Sequence, residues 1–163
     1  MIGSRPNPLN LDEETLKQPL SKITDLLYIG NLYDALDHNN LRANQIQVIV
    51  NCVGPMTWLN IKDMAPFPAY SVPTDIEYYA YPLAQPFGPT MALAHNAARI
   101  VNKCLINGQR VFVHCLSGRD RSPTVSHKAM VDADYSPEKA EAIIRQARPM
   151  VKIHHDWWED GKV

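Results

Sequence analysis

The fourteen residues Val111-Phe112-Val113-His114-Cys115-Leu116-Ser117-Gly118-Arg119-Asp120-Arg121-Ser122-Pro123-Thr124 constrain this chain more than any other stretch. Three successive apolar residues, Val111 to Val113, suit a short strand buried on both faces. A cysteine follows, the chain turns at Gly118, and from Arg121 to about Ala133 the residues are compatible with a helix. A strand that feeds a helix through so short a loop turns successive backbone N–H groups into one concavity, and the helix N-terminus adds about half a positive charge to it. Such a concavity suits a phosphate dianion.

The remainder alternates in the same way. Ile23 to Ile29 is apolar enough for a strand or strand pair ended by Gly30-Asn31, Leu32 to Leu41 reads as short helical pieces, and Ile46 to Val50 reads as a buried strand. Gly54 to Asp75 holds four prolines, Pro55, Pro66, Pro68 and Pro73, and is expected to be a long loop, with Tyr78 to Leu83 returning as a strand. Met91, Ala94, Ala98, Val101 and Leu105 make one helical stripe stopped by Asn107-Gly108. Ser136-Pro137 caps and opens a further helix whose apolar face is Ala140, Ile143, Ile144 and Ala147, ended by Arg148-Pro149. Strands alternating with helices predict an α/β fold, a single domain whose mostly parallel sheet is covered by helices on both faces. Residues 1–21, with Pro6, Pro8, Pro19 and acidic Asp12, Glu13 and Glu14, read as an N-terminal extension to a domain over 22–163.

A chain of 163 residues, 45% apolar and 20% charged, has the size and composition of one domain with one core. Its net charge of -1 gives no general field for gathering nucleic acid or acidic membranes, so any anion site must be local and no nucleic-acid partner is expected. No apolar run approaches the roughly 20 residues that a membrane span needs, and the start, Met1-Ile2-Gly3-Ser4-Arg5-Pro6, has no hydrophobic signal core. Three cysteines, Cys52, Cys104 and Cys115, make no disulfide framework and point to a reducing compartment, the cytoplasm with the nucleus as the other choice. The chain is expected to act as a monomer.

A cysteine at a helix N-terminus beside guanidinium groups can have its pKa lowered to roughly 3.5 to 7.5, which gives a thiolate at neutral pH. That thiolate can attack phosphorus. Arg121, six positions after Cys115, is placed to hold two phosphoryl oxygens with its planar fork. The backbone of Leu116, Ser117, Gly118, Arg119, Asp120 and Arg121 would bind the phosphate.

His-Cys, two residues, Gly, two residues, Arg-Ser closely resembles the signature of protein tyrosine and dual-specificity phosphatases. Ile23-Thr24-Asp25-Leu26-Leu27-Tyr28-Ile29-Gly30-Asn31 is similar to the opening strands of the dual-specificity subgroup, Val48-Ile49-Val50-Asn51-Cys52 to its second core strand, and Arg148-Pro149-Met150-Val151 to the start of its closing segment. The resemblance implies the cysteine-phosphatase fold, with a central sheet of about five strands. It also implies hydrolysis of phosphotyrosine, phosphoserine or phosphothreonine on proteins through a phosphocysteine intermediate, with no metal and no organic cofactor. By the same resemblance Cys115 is the nucleophile and Arg121 the clamp, Ser122 assists breakdown of the phosphocysteine, and His114 fixes the loop and the cysteine's ionisation. Cys52 stands where some relatives keep a cysteine that pairs reversibly with the nucleophile; a packed core cysteine is the plainer reading.

The family's general acid is an aspartate about thirty residues before the cysteine. Here that place reads Tyr81-Pro82-Leu83-Ala84-Gln85-Pro86, and from Tyr78 to Cys115 there is no Asp or Glu. Gln85 stands where the acid would, and a carboxamide does not donate a catalytic proton. Three expectations follow. Asp120 takes over from within the loop, in an arrangement similar to that of myotubularins, which would also suit a phosphoinositide substrate. Alternatively, Asp63 or Asp75 swings in from the proline-rich loop. In the third case there is no acid, and the protein is a phosphate-binding pseudophosphatase with little turnover. Arg119 and Lys128 are expected to put positive charge near the pocket. His154-His155-Asp156 reads as surface, because adjacent histidines on one element rarely converge on a metal ion. Trp157-Trp158 is expected to pack the closing segment onto the body.

Overall fold

A strand can be apolar on both faces only where neither face meets water, and the two uninterrupted apolar runs lie in the middle of the sheet. The computed structural model describes residues 11–53, 70–83 and 91–158. Its strands are β1 (Ser21–Lys22), β2 (Leu27–Gly30), β3 (Val48–Asn51), β4 (Glu77–Ala80) and β5 (Val111–His114). They form one sheet in the order β1-β2-β5-β3-β4, parallel throughout except for the short antiparallel edge strand β1. Every residue of β2, β3 and β5 is buried, whereas the edge strand β4 is largely exposed. The α/β expectation, with about five mostly parallel strands, holds.

Of the strand or strand pair expected over Ile23 to Ile29, the stretch itself holds β2 and the turn before it, while the partner strand β1 lies just ahead at Ser21–Lys22; Thr24 Oγ1 accepts from the N–H groups of Leu26 and Leu27 and closes the turn between them. The strand expected over Tyr78 to Leu83 lies further back, ending at Ala80: Pro82 has no N–H to continue the ladder. Of the long loop expected over Gly54 to Asp75, residues 54–69 lie outside the described residues, and 70–75 are without helix or strand.

Helices cover both faces. On one side lie α4 (Met91–Ile106), α5 (Arg121–Asp132) and α6 (Pro137–Ala147), packing Ala94, Ala98, Val101, Val125, Ala129 and Ile144 onto the sheet. On the other lie α2 (Leu32–Leu36) and α3 (His38–Ala43), whose Leu32, Ala35 and Leu41 cover Tyr28, Ile49 and Phe112. Ser136 caps α6 by accepting from the N–H of Lys139, as its position before Pro137 predicts. A short helix α1 (Glu13–Lys17), capped by Asp12, precedes the sheet. No helix among the described residues is long and apolar enough to cross a membrane. The strand order makes β5 the central strand, parallel to both of its neighbours, with Gly30 and Asn51 beside His114 at its carboxyl end. Ligands of open parallel sheets bind just beyond such ends.

Candidate active site

From Cys115 to Asp120 every backbone carbonyl is held away from the concavity. The Cys115 carbonyl accepts from His114 Nδ1 at 3.2 Å, that of Leu116 from the Leu32 N–H at 3.0 Å, and that of Ser117 from Arg148 Nη2 at 3.3 Å. The Gly118 carbonyl accepts from Arg148 Nε at 2.8 Å, that of Arg119 from the Lys152 N–H at 2.7 Å, and that of Asp120 from the Thr124 N–H and hydroxyl at 3.1 and 2.7 Å. In a planar trans peptide the N–H points opposite to the carbonyl. Six carbonyls tied outward therefore turn the N–H groups of residues 116–121 inward, and among the described residues none of those N–H groups has a partner.

Two features make this path fit. Gly118 has φ +71, and a Cβ on it would lie 2.5 Å from Arg148 Nη2 and 2.6 Å from the Gly30 carbonyl oxygen, so glycine is required twice over. Arg148 itself is fully buried, and its remaining nitrogen donates to the Pro19 carbonyl and to Ser21 Oγ. Burial pulls its pKa below the ordinary guanidinium range, while the carboxylate of Asp34 and the sulfur of Cys115 push it back up. Asp34 sits in a capping box with Asn31, and burial raises its carboxyl to about 6 against the opposing pull of the Asn31 N–H and Arg148.

The histidine before the cysteine is fully buried. A carbonyl can only accept, so Nδ1 carries the hydrogen and Nε2 takes the Tyr70 hydroxyl at 2.9 Å. Burial lowers the pKa of His114 to about 4, so the ring is neutral at neutral pH. Tyr70 also lies against Tyr78, whose hydroxyl accepts from Asn51 Nδ2 at 2.8 Å.

A cavity of about 320 Å³ opens over the loop, lined by Cys115, Asp120 and Arg121 and walled by His154 and Trp157. Cys115 is buried at its floor, with Sγ 3.3 Å from Ser122 Oγ. The Arg121 side chain has no hydrogen bond or ion pair among the described residues. Asp120 Oδ1 lies 2.9 Å from His154 Nε2. The ring of His154 stacks on Trp157 at 5.5 Å, and its own N–H donates to Thr124 Oγ1. The closing segment is thus laced onto the loop rather than lying free on the surface, which corrects the reading of His154 as a surface residue. Trp157 and Trp158 pack on the body as expected.

Other sequence candidates lie elsewhere. Arg119 contributes backbone to the ring, but its side chain pairs with Asp12 at 3.3 Å, and Lys128 pairs with Asp132; neither adds its charge to the cavity lining. Asp75 is exposed beside Arg42 and is not brought to the cavity. Asp63 and Gln85 lie outside the described residues. Cys52 is buried at the end of β3 as a free thiol, pushed well up first by burial and then by the neighbouring Cys115. That direction opposes the thiolate which disulfide exchange needs. Away from the cavity, His127, Glu141 and His155 bring potential ligand atoms within 4.8 Å of one another. They already have internal partners: His127 the Pro137 carbonyl, and Glu141 both His155 and Arg145. Adjacent His154 and His155 do diverge, one to the loop and the other to α6.

No protein-family model matches the chain. It is 29% identical over 126 residues to the tyrosine-protein phosphatase vhp-1 of Caenorhabditis elegans, covering 73% of this chain and 17% of that protein. With dual specificity protein phosphatase 22 of Homo sapiens it shares 29% identity over 133 residues, 79% of this chain and 64% of that one. The chain thus spans less than two thirds of either relative. The crystal structure of human DUSP28 superimposes with a TM-score of 0.67 at 20% identity, over 86% of this chain and 88% of the other, and shows the same fold.

Proposed function

Starting from a chain that belongs among the dual-specificity-like cysteine phosphatases, we propose that it hydrolyses phosphate monoesters on phosphorylated proteins. Phosphatase activity is what the relatives support; the residue roles are our reading, supported by the cavity. The observation that carries the reading is the run of six outward carbonyls, which leaves six amides to face an anion above the sulfur of Cys115. Such a nest binds a dianion without reorganising when charge shifts in the transition state.

In this reading Cys115 Sγ, as the thiolate, attacks phosphorus in line with the leaving oxygen. Arg121, without an internal partner among the described residues, takes two equatorial oxygens in its fork, more tightly as charge spreads over them. Ser122 Oγ, 3.3 Å from the sulfur, donates to it as the phosphocysteine breaks down and the thiolate returns. His114 transfers no proton: neutral and bonded through Nδ1 to the Cys115 carbonyl, it fixes the peptide that starts the ring. Three free cysteines suit a reducing compartment such as the cytoplasm.

The test is turnover of para-nitrophenyl phosphate by the full chain, sensitive to vanadate and absent in Cys115→Ser, with phosphate trapped on Cys115 after acid quench. Turnover that survives Cys115→Ser would remove the assignment.

A further inference from the structure

An alkoxide leaves phosphorus readily only if its oxygen receives a proton, and Gln85 stands where the resemblance places the donor. Of the groups at the cavity, Cys115 and Arg121 are committed to attack and clamping. What remains among the described residues is one hydrogen-bonded pair of titratable side chains, Asp120 Oδ1 and His154 Nε2 at 2.9 Å, on the loop and on the wall above it. Both are part-exposed to the cavity, at 41% and 27% of their side-chain surface, so a substrate oxygen can reach them.

The pair is held from several directions. The Thr124 hydroxyl donates to the Asp120 carbonyl and accepts the His154 N–H, the Lys152 N–H fastens the closing segment to the Arg119 carbonyl, and Trp157 stacks on the imidazole. The neighbouring cation Arg119 is turned away to Asp12, which leaves His154 as the side-chain partner the structure gives Asp120 among the described residues. A carboxyl alone is ordinarily ionised near neutrality, whereas imidazole is the side chain whose ordinary titration falls there.

We propose that His154 supplies the leaving-group proton through Asp120, the two acting as one acid–base unit in place of the missing aspartate. The inference rests on the phosphomonoesterase reading above. In the first step the S–P bond forms, the P–O bond to the leaving group breaks, and its electron pair takes the one proton that His154 Nε2–H hands on through the Asp120 carboxylate, leaving a carboxylate and a neutral imidazole. In the second, solvent water attacks phosphorus, the P–S bond breaks to return the thiolate, and the water's proton goes to Asp120 and on to His154. Asp120 touches the reacting oxygen, and His154 is its positioning and proton-storing partner.

The experiment compares kcat of the full chain on para-nitrophenyl phosphate, whose leaving group needs no proton, and on a phosphoserine peptide, whose leaving alkoxide does. Asp120→Asn, His154→Gln and His154→Ala should each slow the phosphoserine reaction about 100-fold or more and the aryl reaction less than about tenfold. Asp120→Asn with His154→Gln should be no slower than the slower single variant, as expected for parts of one unit. Glutamine can keep the hydrogen bond to Asp120 without a transferable proton, so its choice separates storage from scaffolding. Recovery of the phosphoserine rate in His154→Gln, an equal loss on both esters, or wild-type turnover of the aryl ester alone would each overturn the inference while leaving the phosphatase reading intact. Failure of the wild type on the aryl ester as well would sink that reading itself.

Discussion

The loop from Cys115 to Arg121 is held at its base and at its rim by different chemistry. At the base, Arg148, His114 and Asp34 are desolvated groups with shifted pKa values, wired to backbone by bonds that water does not reach. At the rim, Asp120 and His154 make a single contact that stays open to the cavity. Buried polar groups are costly to leave unpaired, and half-exposed pairs are not. The difference teaches that the base fixes the shape of the site, and the rim is free to do chemistry without putting the fold at risk.

That contrast can be broken from the base first. Arg148→Met removes four hydrogen bonds, two of them to the loop, and leaves the Ser117 and Gly118 carbonyls without their donor and the Asp34 carboxyl without its nearby positive charge. A loss of about 3–5 kcal/mol in denaturant unfolding is expected, because an uncompensated charge and two carbonyls stay buried. A loss below 1 kcal/mol would mean that the loop's shape does not depend on the arginine.

Acid titration sharpens the comparison next. His114 has its pKa lowered in the fold, so its contribution is fully present above the unfolded value near 6.5 and is lost as pH falls through about 4, a change of about 3 kcal/mol. Asp34 runs the other way: raised to about 6 in the fold, it favours the fold below its ordinary value and loses that contribution as pH rises through 6. Between pH 7 and 4 the two oppose each other. His114→Asn should therefore give a protein whose stability, relative to wild type, improves on acidification, and Asp34→Asn one whose relative stability worsens. Parallel stability curves for wild type and both variants, followed by thermal melting against pH, would show that neither group is desolvated.

The smallest effect on folding belongs to the rim. His154→Gln should shift unfolding free energy by less than about 1 kcal/mol, since the pair it breaks is half exposed. A larger loss would make His154 a structural residue like those of the base.

Local patterns made the central features of the site legible. Val111 to Val113 could be nothing but a buried strand, Gly118 had to turn, and Cys115 and Arg121 are placed on one concavity by a loop too short to allow otherwise. Ser136-Pro137 and the stripe of α4 were readable for the same reason: caps and periodicity are set by neighbours within a turn or two. What stayed hidden were long-range partners. Arg148 reads as the end of a helix and His154 as surface, because nothing within 30 residues of either tells that a loop carbonyl or a carboxylate will arrive beside it. Tyr70, 44 residues before His114, gives no signal at all.

The sequence by itself determined the strand–loop–helix unit, the order of layers and the identity of the thiol and guanidinium that share the cavity. Only the tertiary structure decided which groups hold the loop's carbonyls outward, and that His154 on the cavity wall faces Asp120. The physical reason is that backbone geometry follows from residues adjacent in the chain, whereas the satisfaction of buried carbonyls and the pairing of charges depend on where distant segments pack.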